Sequence, residues 1–112
     1  MKEFLFKNEI YLIFIGKNAQ NNWELFDNSF PKYILFHVYP GFSSYIILKN
    51  NNYSKLRDIP LQIIKRCSCL CKSHSNSKNL NNVEIHYTFV ENCKKGEKVG
   101  QVIMDKFKIV NI

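Results

Sequence analysis

Apolar runs of strand length, each cut off by glycine, proline or asparagine, limit what this chain can fold into more than any other feature. Ile10-Tyr11-Leu12-Ile13-Phe14-Ile15 is a continuous apolar run, rich in β-branched and aromatic residues and closed by Gly16, which predicts a buried strand over Glu9–Gly16. Tyr33–Tyr39 and Ser44–Lys49 repeat the pattern on either side of Pro40-Gly41, so they are expected to pair as a hairpin. Both are apolar on both faces, and such a strand belongs in the middle of a sheet or under a helix. Val83–Val90 alternates instead, with Val83, Ile85, Tyr87 and Phe89 on one side and Glu84, His86 and Thr88 on the other. That pattern predicts a half-exposed strand. Gly100–Met104 and Phe107–Ile112, either side of Asp105-Lys106, read as a final hairpin.

Two segments carry helical signals. Between Pro60 and Ser75, a turn of 100° per residue places Ile63, Cys67, Leu70, Cys71 and His74 on one arc and Lys65, Cys69 and Lys72 on the opposite arc. Pro60 suits the first turn. His74 is expected in the interior or at the helix end. Asn18–Asn28 reads as a short helix or ordered loop with Asn21 or Asn22 as cap and Leu25 and Phe26 facing inward. The order β, α, β, β, α, β, β, β implies an α+β fold: a largely antiparallel sheet packed against one main helix plus a short helix. The expected unit is a single domain over residues 1–112, long enough for one sizeable core.

The charge selects among functions. Fourteen Lys and two Arg against nine acidic residues give a net +7, an excess that attracts polyanions. Inside a cell nucleic acid is the default polyanion. Lysine acts as a point charge on phosphate, and scarce arginine argues against rigid bidentate reading of bases. Lys94, Lys95 and Lys98 cluster in one loop, Lys17 follows the first strand and Lys49 ends the third. From Ile59 to Val83 there is no acidic residue.

Catalytic signatures are missing. The sequence contains no Gly-x-Ser-x-Gly, no glycine-rich phosphate loop before a helix and no HExxH, so no enzymatic activity is expected. Cys67, Cys69, Cys71 and His74 invite a zinc reading. Cys69 points away from the other three, however, and a closed zinc site needs four converging ligands. No metal and no cofactor are expected. The cysteines are expected as free thiols, those on the inner arc acting as small hydrophobes. No stretch reaches about 18 apolar residues, so no membrane span is expected, and nothing in the N-terminal segment resembles an export signal. The expected location is intracellular, in the cytoplasm. His86 is expected as a solvated strand histidine. His37 has two readings, contact with a phosphate or base and a hydrogen-bonded structural role.

Three segments recur in a fixed order: Ile15-Gly16-Lys17-Asn18 with Asn22 and Leu25; Phe36-His37-Val38 with Ser43-Ser44; and Tyr87-Thr88 with Lys94-Lys95 and Gly100-Gln101-Val102. Together they resemble the NFACT-R domain, an RNA-binding module of ribosome-quality-control factors and of small stand-alone relatives. The match runs from about Ile10 to the C-terminus. It departs from the family pattern where Asp-Ile-Trp is replaced by Tyr33-Ile34-Leu35, and where a usual histidine is replaced by Tyr45. With no coiled coil before Ile112, the chain is expected to be a reduced stand-alone member, and the peptide-tailing activity of larger relatives is not expected of it.

The resemblance and the basic surplus imply a non-enzymatic RNA-binding domain, with tRNA or ribosomal RNA as target and the ribosome as a further partner. Lys17, Asn22, His37, Lys49, Lys94, Lys95 and Lys98 are the expected nucleic-acid contacts. DNA binding and a role as a protein–protein adaptor stand as alternatives.

Overall fold

A computed structural model describes residues 1–112. The chain runs β1 (Lys2–Phe6), β2 (Glu9–Ile15), α1 (Ala19–Asp27), β3 (Ile34–Tyr39), β4 (Ile46–Leu48), α2 (Leu61–Ser73), β5 (Glu84–Phe89), β6 (Cys93–Lys95), β7 (Val102–Met104) and β8 (Lys108–Asn111), with 3₁₀ turns at Leu56–Asp58 and Val90–Asn92. Six strands form one sheet in the order β1-β2-β4-β3-β5-β8, and β6 and β7 form a separate two-stranded ribbon. Every pairing is antiparallel. The α+β architecture expected from the sequence is the one observed, with β3 and β4 paired at the centre of the sheet.

One face of the sheet is sealed by α2. Ile13, Ile34, Phe36, Ile46 and Ile85 meet Ile63, Cys67 and Cys71 of the helix, all buried. The helix has the phase read from its sequence: Cys67 and Cys71 are buried and Cys69 is exposed. Burial pushes the Cys71 thiol up to about 12 and the Cys67 thiol still further in the same direction, as desolvation of a thiolate requires. No three metal-ligating side chains come together. No helix is long and apolar enough to cross a membrane.

The other face is covered over only part of its area. Leu35, Tyr45 and Ile47 are buried beneath Trp23, Leu25 and Phe26 of α1 and Val102 and Met104 of the ribbon. Towards β5 and β8 that cover ends, and Tyr39 and Ile109 emerge with relative exposures of 55% and 52%.

Several local expectations need correction. β5 is not half-exposed. It lies between β3 and β8, and His86, expected in solvent, is only 8% exposed because Tyr39 and Phe107 cover its ring. The final hairpin does not exist, since β7 pairs with β6 and β8 with β5. Lys106, at φ 53°, redirects the chain between them. The charged segment Lys2–Phe6 is a strand, joined to β2 through Lys7 and Asn8 at φ 49° and 65°. Two consecutive positive φ values make the tight turn that suits a two-residue hairpin. His74 sits at the end of α2 as expected there, but it is exposed.

Candidate nucleic-acid interface

The N-terminal end of α1 is held by asparagines. Asn18 is the cap, its Oδ1 accepting from the Asn21 amide at 2.8 Å, and Asn21 Oδ1 accepts from the Lys17 amide at 2.9 Å. This reciprocal pair satisfies two backbone donors at the helix start, as a capping box does. The cap is thus Asn18, three residues before Asn21 and four before Asn22, the two positions expected. Asn22 has a different task. It donates through Nδ2 to the Ser43 carbonyl at 3.3 Å and accepts at Oδ1 from the Tyr45 amide at 3.0 Å.

Gly16 makes that arrangement possible. Its amide donates to the Tyr45 carbonyl at 2.9 Å, and a Cβ there would lie 1.7 Å from Asn22 Oδ1. Gly100 presses on the same helix end. It has φ +86°, and a Cβ would come within 2.7 Å of Ala19 Cβ. Tyr45 donates its hydroxyl to the Gly100 carbonyl at 2.7 Å, and Trp23 Nε1 donates to the Gln101 carbonyl at 3.1 Å. The turn between β6 and β7 is thereby pinned onto α1.

Parts of the three sequence segments, distant along the chain, therefore meet at one place. They surround a cleft of about 350 Å³ lined by Asn18, Asn22, Ser43, Ser44, His74 and Gly100 among others, with no carboxylate in its walls. The Ala19 and Gln20 amides at the start of α1 have no partner within the chain, as expected of the first turn of a helix. Lys17 adjoins Asn18, and Lys98 stands two residues before Gly100; both are exposed and neither is in an ion pair. The hydroxyl, amide and imidazole groups of the cleft can bind phosphate and sugar oxygens, and unpaired lysines close to it along the chain can add positive charge.

The other expected contacts fall into different positions. Asn22 is 5% exposed with both ends of its amide engaged, so it builds the cleft wall. His37 is largely buried on β3, edge-on to Tyr45 at 5.7 Å. Burial lowers its pKa from 6.5 to about 4, so it is neutral at pH 7 and brings no charge to a phosphate. Its Nε2 is buried without a hydrogen-bond partner. Lys49 follows β4 and its amide donates to Leu12, which places it towards the opposite end of α1 from Lys17. Lys95 is neutralised by Asp27 at 2.8 Å and lies over the Trp23 ring at 4.9 Å. Lys94 pairs with Ile103 on the ribbon and is exposed without an acidic partner. His74 and Ser75, which no sequence pattern groups with Asn18, reach the cleft because Ser75 bridges to Ser43.

The family model for the NFACT protein RNA binding domain matches residues 1–107. Coiled-coil domain-containing protein 25 of Bos taurus is 33% identical over 105 residues, covering 91% of this chain and 50% of the relative. The Mus musculus protein of the same name gives the same identity and coverage, and the Danio rerio one is 30% identical over 105 residues. The chain thus spans about half the length of the curated relatives it matches. Among solved structures, the C-terminal part of the fibronectin/fibrinogen-binding protein from Streptococcus suis superposes with a TM-score of 0.82. That likeness covers 98% of this chain and 43% of the other at 20% identity, and it speaks for the fold.

Proposed function

We propose that this chain, which belongs to the NFACT RNA-binding domain family, binds RNA at the cleft beside the N-terminal end of α1. One observation carries the reading: parts of the segments that mark the family converge there on a polar cleft with no carboxylate among its lining residues, and two exposed lysines, Lys17 and Lys98, stand close along the chain to its Asn18 and Gly100. In this reading Lys17 and Lys98 neutralise phosphates, Lys94 extends the positive rim, and Asn18, Ser44 and His74 bond sugar or phosphate oxygens. Asn22, Gly16 and Gly100 hold the cleft in shape. Lys49 and Lys95 contribute only to the general positive field.

The role is binding rather than catalysis. Contacts made by lysine and short polar groups suit a structured RNA recognised by shape and backbone, and tRNA or ribosomal RNA in the cytoplasm is the target class we favour. The test is a titration of RNA onto the full chain at several salt concentrations. Binding is expected to weaken steeply with salt, because each phosphate contact releases counterions. Competition with a DNA strand of matched sequence reads the polymer preference, since only RNA offers the 2′-hydroxyl. No RNA binding at low salt would overturn the reading.

A further inference from the structure

β8 is the outer strand of the sheet, and two unusual features flank it. On the side shared with α2, Lys55, Arg57, Lys106 and Lys108 line a groove of about 360 Å³ together with Phe89 and Asn92. No carboxylate lines it, and none of the four cations is in an ion pair. On the opposite side, Phe107 stacks on His86 at 4.3 Å and 11°, and His86 stacks on Tyr39 at 4.4 Å and 13°. Glu84 hydrogen-bonds His86 Nε2 and fixes the middle ring. The outer rings remain open, Tyr39 at 55% exposure and Phe107 at 41%.

A charged edge strand also discourages pairing with other strands. That accounts for Lys108, which lies on the strand. It does not account for Lys55 and Arg57, which belong to the distant 3₁₀ turn and still face the same groove. Nor does it account for aromatic rings left in water on the other side of the strand. Four like charges in one groove repel each other, and an anion placed among them relieves that repulsion. Flat exposed rings gain by covering their faces with another flat ring. A polynucleotide strand supplies both partners.

We infer that the β8 edge is a second nucleic-acid site, one that takes single-stranded RNA with phosphates in the four-cation groove and an unpaired base on the Tyr39–His86–Phe107 column. The inference rests on the RNA-binding reading but uses none of the cleft residues. Paired bases are already stacked, so the site favours single strands over duplex.

The test measures fluorescence anisotropy of a labelled single-stranded oligouridine and of a labelled RNA duplex on the full chain. It uses three double variants: Tyr39→Leu with Phe107→Leu, Lys55→Glu with Lys108→Glu, and Lys17→Glu with Lys98→Glu. Leucine keeps apolar bulk while removing the ring plane, and a melting curve for each variant confirms folding. The ring variant is expected to lose about tenfold or more in affinity for oligouridine with its salt slope intact. The groove variant is expected to lose affinity and slope together. Duplex binding should change less than single-strand binding in the ring variant. If the wild type binds oligouridine and both edge variants match it, the β8 site falls while the RNA-binding reading survives. If the cleft variant alone loses binding, the outcome is the same. If the wild type binds neither probe, both fall.

Discussion

The two faces of the sheet are built to different ends. The face under α2 is continuous and dry, with Ile13, Phe36, Ile46 and Ile85 against Ile63, Cys67 and Cys71. Each fully buried aliphatic or aromatic side chain there contributes about 1.5–3 kcal/mol by leaving water. The face under α1 is divided. Half is closed by α1 and the β6–β7 ribbon, which are tied down through the backbone contacts of Asn22, Tyr45 and Trp23. The other half stays open and carries aromatic rings. The contrast separates a sealed centre from its rims: on the proposed reading the α2 face holds the fold together, while the recognition groups sit at its margins, in the cleft beside the ends of α1 and α2 and along the β8 edge.

Substitutions should expose that division. The largest effect belongs to the α2 face: Phe36→Ala is expected to destabilise by about 3–5 kcal/mol, seen as a lower midpoint in urea, with RNA affinity of the folded protein retained. Asn22→Ala should cost less, about 1–3 kcal/mol, since it leaves the buried Tyr45 amide without its acceptor. Unlike Phe36→Ala, it should also weaken RNA binding, because the helix end that shapes the cleft is released. Equal losses of stability and binding in both variants would break the division.

His37 gives a pH-dependent version of the same comparison. Burial lowers its pKa to about 4 from 6.5, so the unfolded state takes up the proton first as pH falls. The stability this neutral imidazole allows is complete above pH 6.5 and is lost progressively down to pH 4. His37→Gln should flatten that part of the stability profile, which in the wild type falls by about 3 kcal/mol. A wild-type profile already flat between these pH values would contradict the burial of the ring. The smallest stability effect is expected for Lys17→Glu with Lys98→Glu, within about 0.5 kcal/mol for exposed sites.

The sequence disclosed most where a local period decided the structure. Cys67 and Cys71 inward with Cys69 outward follow directly from the helical repeat, and the doubly apolar β3 and β4 are central as such strands must be. It disclosed less where a distant partner decided. His86 alternates with apolar neighbours and reads as solvated, yet rings from two other parts of the chain cover it. Val102–Met104 and Lys108–Asn111 look like two arms of one hairpin, but their partners β6 and β5 assign them to different sheets. For the cleft, the family segments marked Gly16, Asn22 and Gly100 without showing that all three act on one helix end. Asn8 next to Lys7 was a readable turn signal for the missed first hairpin. The cations at Lys55, Arg57, Lys106 and Lys108 had no such signal, since they come together only through folding.

The most direct measurement is the salt dependence of RNA binding by the wild type and by Lys17→Glu with Lys98→Glu. Weaker binding of a structured RNA is predicted in the variant at every salt concentration, with a log–log slope shallower by about 1.8 for two lost contacts to a helical backbone and an unchanged melting temperature. Identical affinity and slope in the two proteins would show that the cleft does not hold the phosphates.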